Sequence, residues 1–160
     1  SPFRAAIGWA VKEGITNGTS ATTFSPGNTC TTAQILTFLW RANGSPNSNA
    51  ACPASDVAET SPFYKALCWA NEKDLMTKGS GSTPCTRAAA VTYLWKLAGS
   101  PKMSVNSSFT DVPASADFAQ AVAWAVEQGV TNGVSASEFA PDSTCTRGQI
   151  MTFLYRNLLD

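Results

Sequence analysis

Histidine is absent from the 160 residues, which removes the commonest general base and the commonest metal ligand at neutral pH. Charge is sparse too. Charged residues make up 14% of the chain, and 11 basic against 11 acidic side chains leave a formal net charge of zero. No global field draws such a chain to nucleic acid or an anionic membrane, so any anion it holds must be held by local geometry. No apolar run reaches the roughly 18 residues that would cross a bilayer. With no signal peptide at Ser1 either, the sequence reads as a mature fragment. Paired carboxylates for hydrolysis are lacking as well. Glu13, Asp56, Asp111, Glu127 and Glu138 stand at no spacing that would converge two of them on a cleft. The expectation is a non-catalytic protein without metal or cofactor.

What the chain does contain is repetition. The phrase TCTTAQILTFLWRA from Thr29 returns as PCTRAAAVTYLWKL from Pro84 and TCTRGQIMTFLYRN from Thr144. Upstream of each stands a second phrase: FRAAIGWAVKEGITNG from Phe3, FYKALCWANEKDLMTKG from Phe63 and FAQAVAWAVEQGVTNG from Phe118. Trp9 to Trp69 is 60 residues and Trp69 to Trp124 is 55, whereas Cys30 to Cys85 is 55 and Cys85 to Cys145 is 60. The second repeat has therefore lost five residues between Trp69 and Cys85, where the others carry TTFSPGNT and SEFAPDST. A repeat of this size is marginal alone, but 160 residues at 44% hydrophobic bury a real core. The reading is one domain over 1–160, with repeats at 1–45, 52–100 and 107–160. Lead-ins ending in Asp56 and Asp111 open the later two repeats, and the corresponding piece of the first is missing.

Each repeat reads as helix, loop, helix. Ile7, Ala10, Val11 and Ile15 share one face of the first helix, as do Val122, Ala125, Val126 and Val130. Gly14 and Gly129 then stop the helix. The second helix opens at Thr31, Thr86 or Thr146, with Gln34 and Gln149 placed for a capping box that Ala89 abandons. Its apolar stripe is Ile35, Phe38, Leu39 and Ala42, then Ala90, Tyr93, Leu94 and Leu97, then Ile150, Phe153, Leu154 and Leu158.

Five cysteines are an odd number. Cys30, Cys85 and Cys145 are equivalent by repeat and read as small hydrophobes beside the helix starts. Cys52 and Cys68 occur only in the second repeat, and a bond between them would close a loop worth on the order of 3 kcal/mol. A Cys68–Cys85 pairing and no bond at all are the alternatives.

Phrases of the form FTDV, AVAWAVEQGVTNG and FAPDSTCTRGQIMTFLYR resemble the S-layer homology domain, a module found in three copies in proteins attached to Gram-positive cell surfaces. The resemblance covers nearly the whole chain. It implies a mainly α fold, with three helix-loop-helix repeats in a pseudo-threefold arrangement around a central helical bundle. It further implies grooves between neighbouring prongs that bind secondary cell-wall polysaccharide, often carrying a pyruvylated sugar. The expected location is extracellular, on the cell wall. Neighbouring surface proteins are a further class of partner, while nucleic acid and membrane are not expected. The alternative is a structural or adhesive module that has lost polysaccharide binding.

The family's Thr-Arg-Ala-Glu motif supplies a groove arginine, and Arg87 and Arg147 match it. A helix N-terminus with unpaired amides is itself an anion site, which would rationalise an arginine there. The other reading is an internal ion pair with Asp56 or Asp111. The first repeat has Thr32 instead of arginine, and the motif glutamate is replaced by Gln34, Ala89 and Gln149. The missing arginine marks one groove as inactive and the shortened loop weakens a second, which ranks Arg147 first and Arg87 next. Trp9, Trp69 and Trp124 are either sugar platforms or core. Asn17 and Asn132 either donate to a sugar or serve the turn. The candidate ligand-binding set is thus Arg147, Arg87, Asp111, Asp56, Trp124, Trp69 and Asn132.

Overall fold

Six helices carry the regular structure among the described residues: α1 (Arg4–Lys12), α2 (Thr32–Ala42), α3 (Tyr64–Glu72), α4 (Arg87–Leu97), α5 (Ala119–Glu127) and α6 (Arg147–Leu159). Extended pairing is confined there to isolated bridges. The computed structural model describes residues 2–20, 22–105 and 108–159, so Ser107, where the third repeat was expected to open, lies outside them.

The local signals act as their chemistry dictates. Thr31 Oγ1 accepts from Gln34 N at 3.2 Å while Gln34 Oε1 accepts from Thr31 N at 2.9 Å. Thr146 and Gln149 form the same reciprocal box, and Thr86 keeps only the half that Ala89 N can supply. The first helices of the repeats end where the chain turns left-handed, at Gly14 (φ 73°), Gly129 (φ 71°) and Asp74 (φ 59°). Ile15, Leu75 and Val130 then donate back to Ala10, Ala70 and Ala125 at 2.8–2.9 Å, the closing bond of a Schellman turn.

That turn corrects the expected stripes. Ile15 and Val130 lie beyond the helix ends and are swung into the core, at 1% and 0% exposure, whereas Val11 and Val126 stay 50% and 39% exposed. Leu158, near the end of α6, is likewise exposed. In the TNG turns the positive φ falls on Gly18 and Gly133, not on Asn17 or Asn132.

The helices pair across the linkers: α2 packs on α3, α4 on α5, and α6 on α1. The last pair joins the end of the chain to its beginning, with Trp9 edge-on to Tyr155 at 5.7 Å. Each packed pair thus combines the second helix of one repeat with the first helix of the next. Among the described residues the second helices supply seven of the twelve largest fully buried side chains, Ile35, Leu36, Leu39, Val91, Ile150, Met151 and Leu154, all at 1% exposure or less. Burying each such side chain is worth about 1.5–3 kcal/mol.

The three repeats meet where their cysteines meet. Cys30 N donates to Cys145 O at 3.1 Å, Cys145 N to Cys85 O at 2.8 Å, and Cys85 N to Cys30 O at 2.9 Å, a closed circuit of main-chain bonds. The bridges Thr29–Thr146, Thr31–Pro84 and Thr86–Thr144 flank it. The first two amides of each second helix continue the pattern into the neighbouring loop. Arg87 N and Ala88 N donate to Ser143 O and Pro141 O, Arg147 N and Gly148 N to Asn28 O and Pro26 O, and Thr32 N and Ala33 N to Thr83 O and Gly81 O. The helix N-termini are therefore not vacant anion sites, which corrects that expectation: main-chain carbonyls already satisfy donors that a helix start leaves orphaned.

Burial pushes the Cys30 thiol up to about 11 and Cys85 up to about 12 from an ordinary 9.0, and raises Cys145 further. Neutral thiols are thus favoured by folding. Their contribution is complete below about pH 9 and is lost as pH rises through the folded values. Under reducing conditions the thermal midpoint is expected to be level up to about pH 9 and to fall between about 9 and 12. Circular dichroism melts of the native chain and Cys145→Ala check this, the variant showing a shallower alkaline decline.

Candidate functional site

Arg87 and Arg147 begin their helices, but each side chain crosses into a loop of the next repeat. Arg147 Nε donates to Phe24 O at 2.9 Å and its terminal nitrogen to Thr16 Oγ1 at 3.4 Å. Its guanidinium lies over the rings of Phe24 and Phe38, 4.7 and 5.4 Å from their centroids. Arg87 repeats the arrangement one junction on, with Nε to Phe139 O at 2.9 Å and its plane over Phe139 and Phe153 at 4.9 and 5.4 Å. Both are buried, at 7% and 3% exposure. A planar guanidinium suits this sandwich between rings with a carbonyl at its edge.

The receiving loops share one construction. Thr19 N and Ser20 N converge on Thr23 O as Val134 N and Ser135 N converge on Glu138 O. Gly18 and Gly133 have φ of 82° and 88°, and an added Cβ would come within 2.5 Å of Thr23 O or 2.7 Å of Glu138 O, so glycine is required at both.

The third junction is different, and for one reason. Thr32 stands where the arginine would be, its hydroxyl bonding Thr83 O at 3.0 Å. The loop it meets is the one shortened by five residues, without a counterpart of Phe24 or Phe139. The missing arginine and the deletion therefore belong to a single junction, which corrects the expectation that they weaken two separate grooves.

Asp111 and Asp56 hold the loops. Asp111 accepts from Phe139 N at 2.9 Å and Ala140 N at 2.8 Å, pinning Ala140 in the left-handed region (φ 59°). Burial raises its carboxyl, but these amides and the Arg87 charge outweigh that and hold it below the usual range. The expected ion pair is not formed among the described residues: the Arg87 guanidinium bonds the Phe139 carbonyl, and Asp111, on the amides of the same loop, acts on it only as a nearby charge. Asp56 meets neither arginine among its described bonds. It gathers Ser80 Oγ, Gly81 N, and Ser82 N and Oγ, and the Ser80 hydroxyl and these further donors hold it well below the carboxylate range.

Beside Arg147 a cavity of about 240 Å³ opens, lined by Thr16, Asn17 and Gly18 from the loop, Gln34, Thr37, Phe38 and Arg41 from α2, and Phe63. Every described partner of Arg147 is neutral. Among the described residues no fully buried side-chain nitrogen or oxygen lacks a partner, so the guanidinium nitrogen not engaged by Phe24 or Thr16 is not fully buried, and Arg147 lines the cavity. Burial lowers the arginine's pKa from its ordinary value, yet guanidinium stays charged at neutral pH. A partly desolvated cation with neutral neighbours favours an arriving anion.

Matching residues stand at the Arg87 junction: Thr131, Asn132, Gly133, Gln149, Thr152, Phe153 and Arg156. Arg41 bonds Ile15 O at 3.2 Å and Arg156 bonds Val130 O at 3.3 Å. At the third junction the same positions hold Met76, Ala89, Tyr93 and Lys96. Trp69 and Trp124 are at 1% and 5% exposure and form core, so neither presents a ring face to a sugar, which corrects that assignment. Of the aromatic residues lining the cavity, Phe38 is as buried as Trp124, beneath the Arg147 guanidinium, and only Phe63 is partly exposed; Asn132 is exposed at a loop edge. Arg41, Arg156 and the two glutamines were overlooked as site residues. Their signal was identity between the first and third repeats at positions where the second diverges.

A mainly helical module of repeats, closed by pairing its last helix with its first, is the class this architecture defines. The family model described as the S-layer homology domain matches residues 1–36 and 108–151, and the chain belongs to that family, whose members are non-catalytic modules anchoring proteins to the cell wall. The matched stretches hold both arginine-receiving loops, whereas the divergent second repeat falls between them. No curated protein matches the chain.

Removing the Arg147 side chain takes away its carbonyl bond and ring contacts and leaves a cavity. Arg147→Ala is expected to cost about 2–4 kcal/mol, measured by urea denaturation. Thr32→Arg is expected to destabilise by about 1–3 kcal/mol, because the short loop has no aromatic ring to receive it. Because the folded pKa values of Asp56 and Asp111 are lowered, their stabilising effect is complete above about pH 4 and is lost as pH falls through the folded values. Asp111→Asn is expected to flatten that acid decline in a series of melts.

Proposed function

We propose that this domain anchors its parent protein by binding a cell-wall polysaccharide with an acidic substituent, such as a pyruvylated sugar, in two matched grooves of the cell-surface domain. One groove is built on Arg147 and Arg41, the other on Arg87 and Arg156. The observation that carries the reading is the cavity beside Arg147, where a buried cation has only neutral described partners and a second arginine stands on the same wall. Threonine, asparagine and glutamine beside it supply sugar-directed hydrogen bonds, and the partly exposed Phe63 supplies an apolar wall. At the Arg87 groove, Asp111 already lies near the guanidinium, so that groove is the weaker of the two. The divergent third junction is assigned no polysaccharide.

Co-sedimentation of the domain with Gram-positive wall sacculi, before and after removal of their secondary polysaccharide, tests this. The informative variants are Arg41→Gln and Arg156→Gln, because Arg41 is half-buried and Arg156 exposed, at positions that spare the junction arginines. Loss of one charge-assisted contact is worth roughly 1.5–3 kcal/mol, so the double variant is expected to bind at least about tenfold more weakly, while losing the bonds to Ile15 O and Val130 O lowers the melting temperature but leaves the domain folded. Lys96→Gln at the third junction is expected to bind as the native domain does. Pelleting that ignores both the polymer and the arginines would sink the proposal in favour of a structural or adhesive role.

A further inference from the structure

The linker between α2 and α3 lies along α3. Ser48 Oγ donates to Cys68 O at 3.3 Å and to Glu72 Oε1 at 3.2 Å, and Asn71 Nδ2 donates to Ala51 O at 2.9 Å. These bonds lay the following residue, Cys52, along the turn of α3 that carries Cys68; the Cys52 thiol donates to Ala54 O at 3.6 Å, and burial together with the neighbouring Cys52 raises the Cys68 thiol above its ordinary value. Cys68 is 5% exposed and Cys52 half-buried. Both sulfurs are thiols here. The positions matching Cys68 in the other repeats are Gly8 and Ala123, so this pair is peculiar to the second repeat.

We propose that Cys52 and Cys68 form a disulfide that clasps the linker to α3, with a small-molecule disulfide as the oxidant. The Cys52 thiolate attacks one sulfur of the reagent and releases the first small thiol. The Cys68 thiolate then attacks the Cys52 sulfur of the mixed disulfide and releases the second. Two protein thiols are oxidised, one reagent disulfide is reduced to two thiols, and the two protons pass to the departing thiolates. Cys30, Cys85 and Cys145 stay out of the exchange because each is at 1% exposure or less inside the main-chain circuit.

The clasp has a structural purpose at the junction that lacks an arginine. Just beyond Cys52, Ala54 bridges Gly79, and Asp56 gathers Ser80, Gly81 and Ser82. Gly81 O in turn accepts the Ala33 amide of α2. Tying the linker to α3 therefore steadies the short loop by a route that replaces the guanidinium pin of the other two junctions. The proposal is independent of polysaccharide binding.

The test treats the folded, reduced chain with oxidised glutathione, unfolds it in an alkylating reagent, and maps its peptides by mass spectrometry without reduction. Expected are three alkylated cysteines, one linked pair containing Cys52 and Cys68, and a higher melting temperature for the oxidised form than for the reduced. Cys52→Ser is expected to abolish both the linked pair and the oxidation-dependent shift, while folding as the reduced native chain does. Five free thiols, a Cys68–Cys85 pair, or glutathione remaining on Cys52 in the folded protein would each overturn the proposal.

Discussion

The bonds Cys30 to Cys145, Cys145 to Cys85 and Cys85 to Cys30 are a constraint on which the remaining architecture depends. Each repeat gives one amide and receives one, so the circuit closes only when all three are present. Around it, the first amides of every second helix are satisfied by the loop of a neighbour. A helix start without a partner would leave buried donors unpaired at about 1–3 kcal/mol each. One repeat therefore lacks both an apolar face to pack against and acceptors for its own helix, and the domain is expected to fold as a unit.

This closure also determines where function can reside. Because helices pair across linkers, the cavity beside Arg147 takes residues from all three repeats, and its arginine comes from a different repeat than the loop it enters. Arg147 serves a loop more than 120 residues earlier in the chain, that of Phe24. The arginine consequently has two roles. Its Nε and ring faces hold the junction together, while the side chain also lines the cavity. Measurements of stability and of binding on variants at Arg41 and Arg147 separate these roles, since Arg41 touches only a loop carbonyl among its described bonds.

The second repeat illustrates how such a module diverges. A five-residue deletion removed the ring that would receive an arginine, and the helix feeding that loop carries Thr32. A buried guanidinium without its carbonyl and aromatic seat would be a desolvated charge lacking compensation, so the two changes are coupled by energy. The same repeat carries Ser80 and Ser82 of the shortened loop around Asp56, and it alone holds Cys52 and Cys68.

Local chemistry made much of this legible in the amino-acid sequence. The threefold repetition, the threonine caps with Gln34 and Gln149, the turns at Gly14 and Gly129, and the absence of histidine all follow from residue type at short range, because caps and turns are settled within a few residues. The repeats also pointed to Arg87, Arg147, Asp56 and Asp111. Their partners were decided only by the tertiary structure. Whether Arg147 meets an aspartate, a ligand or the carbonyl of Phe24 depends on which loop the closing of α6 on α1 brings beside it. The same closure put Trp69 and Trp124 in the core and Arg41 on the cavity wall. Sequence period describes the face of a helix, but the neighbour to which that face is presented is chosen by long-range packing.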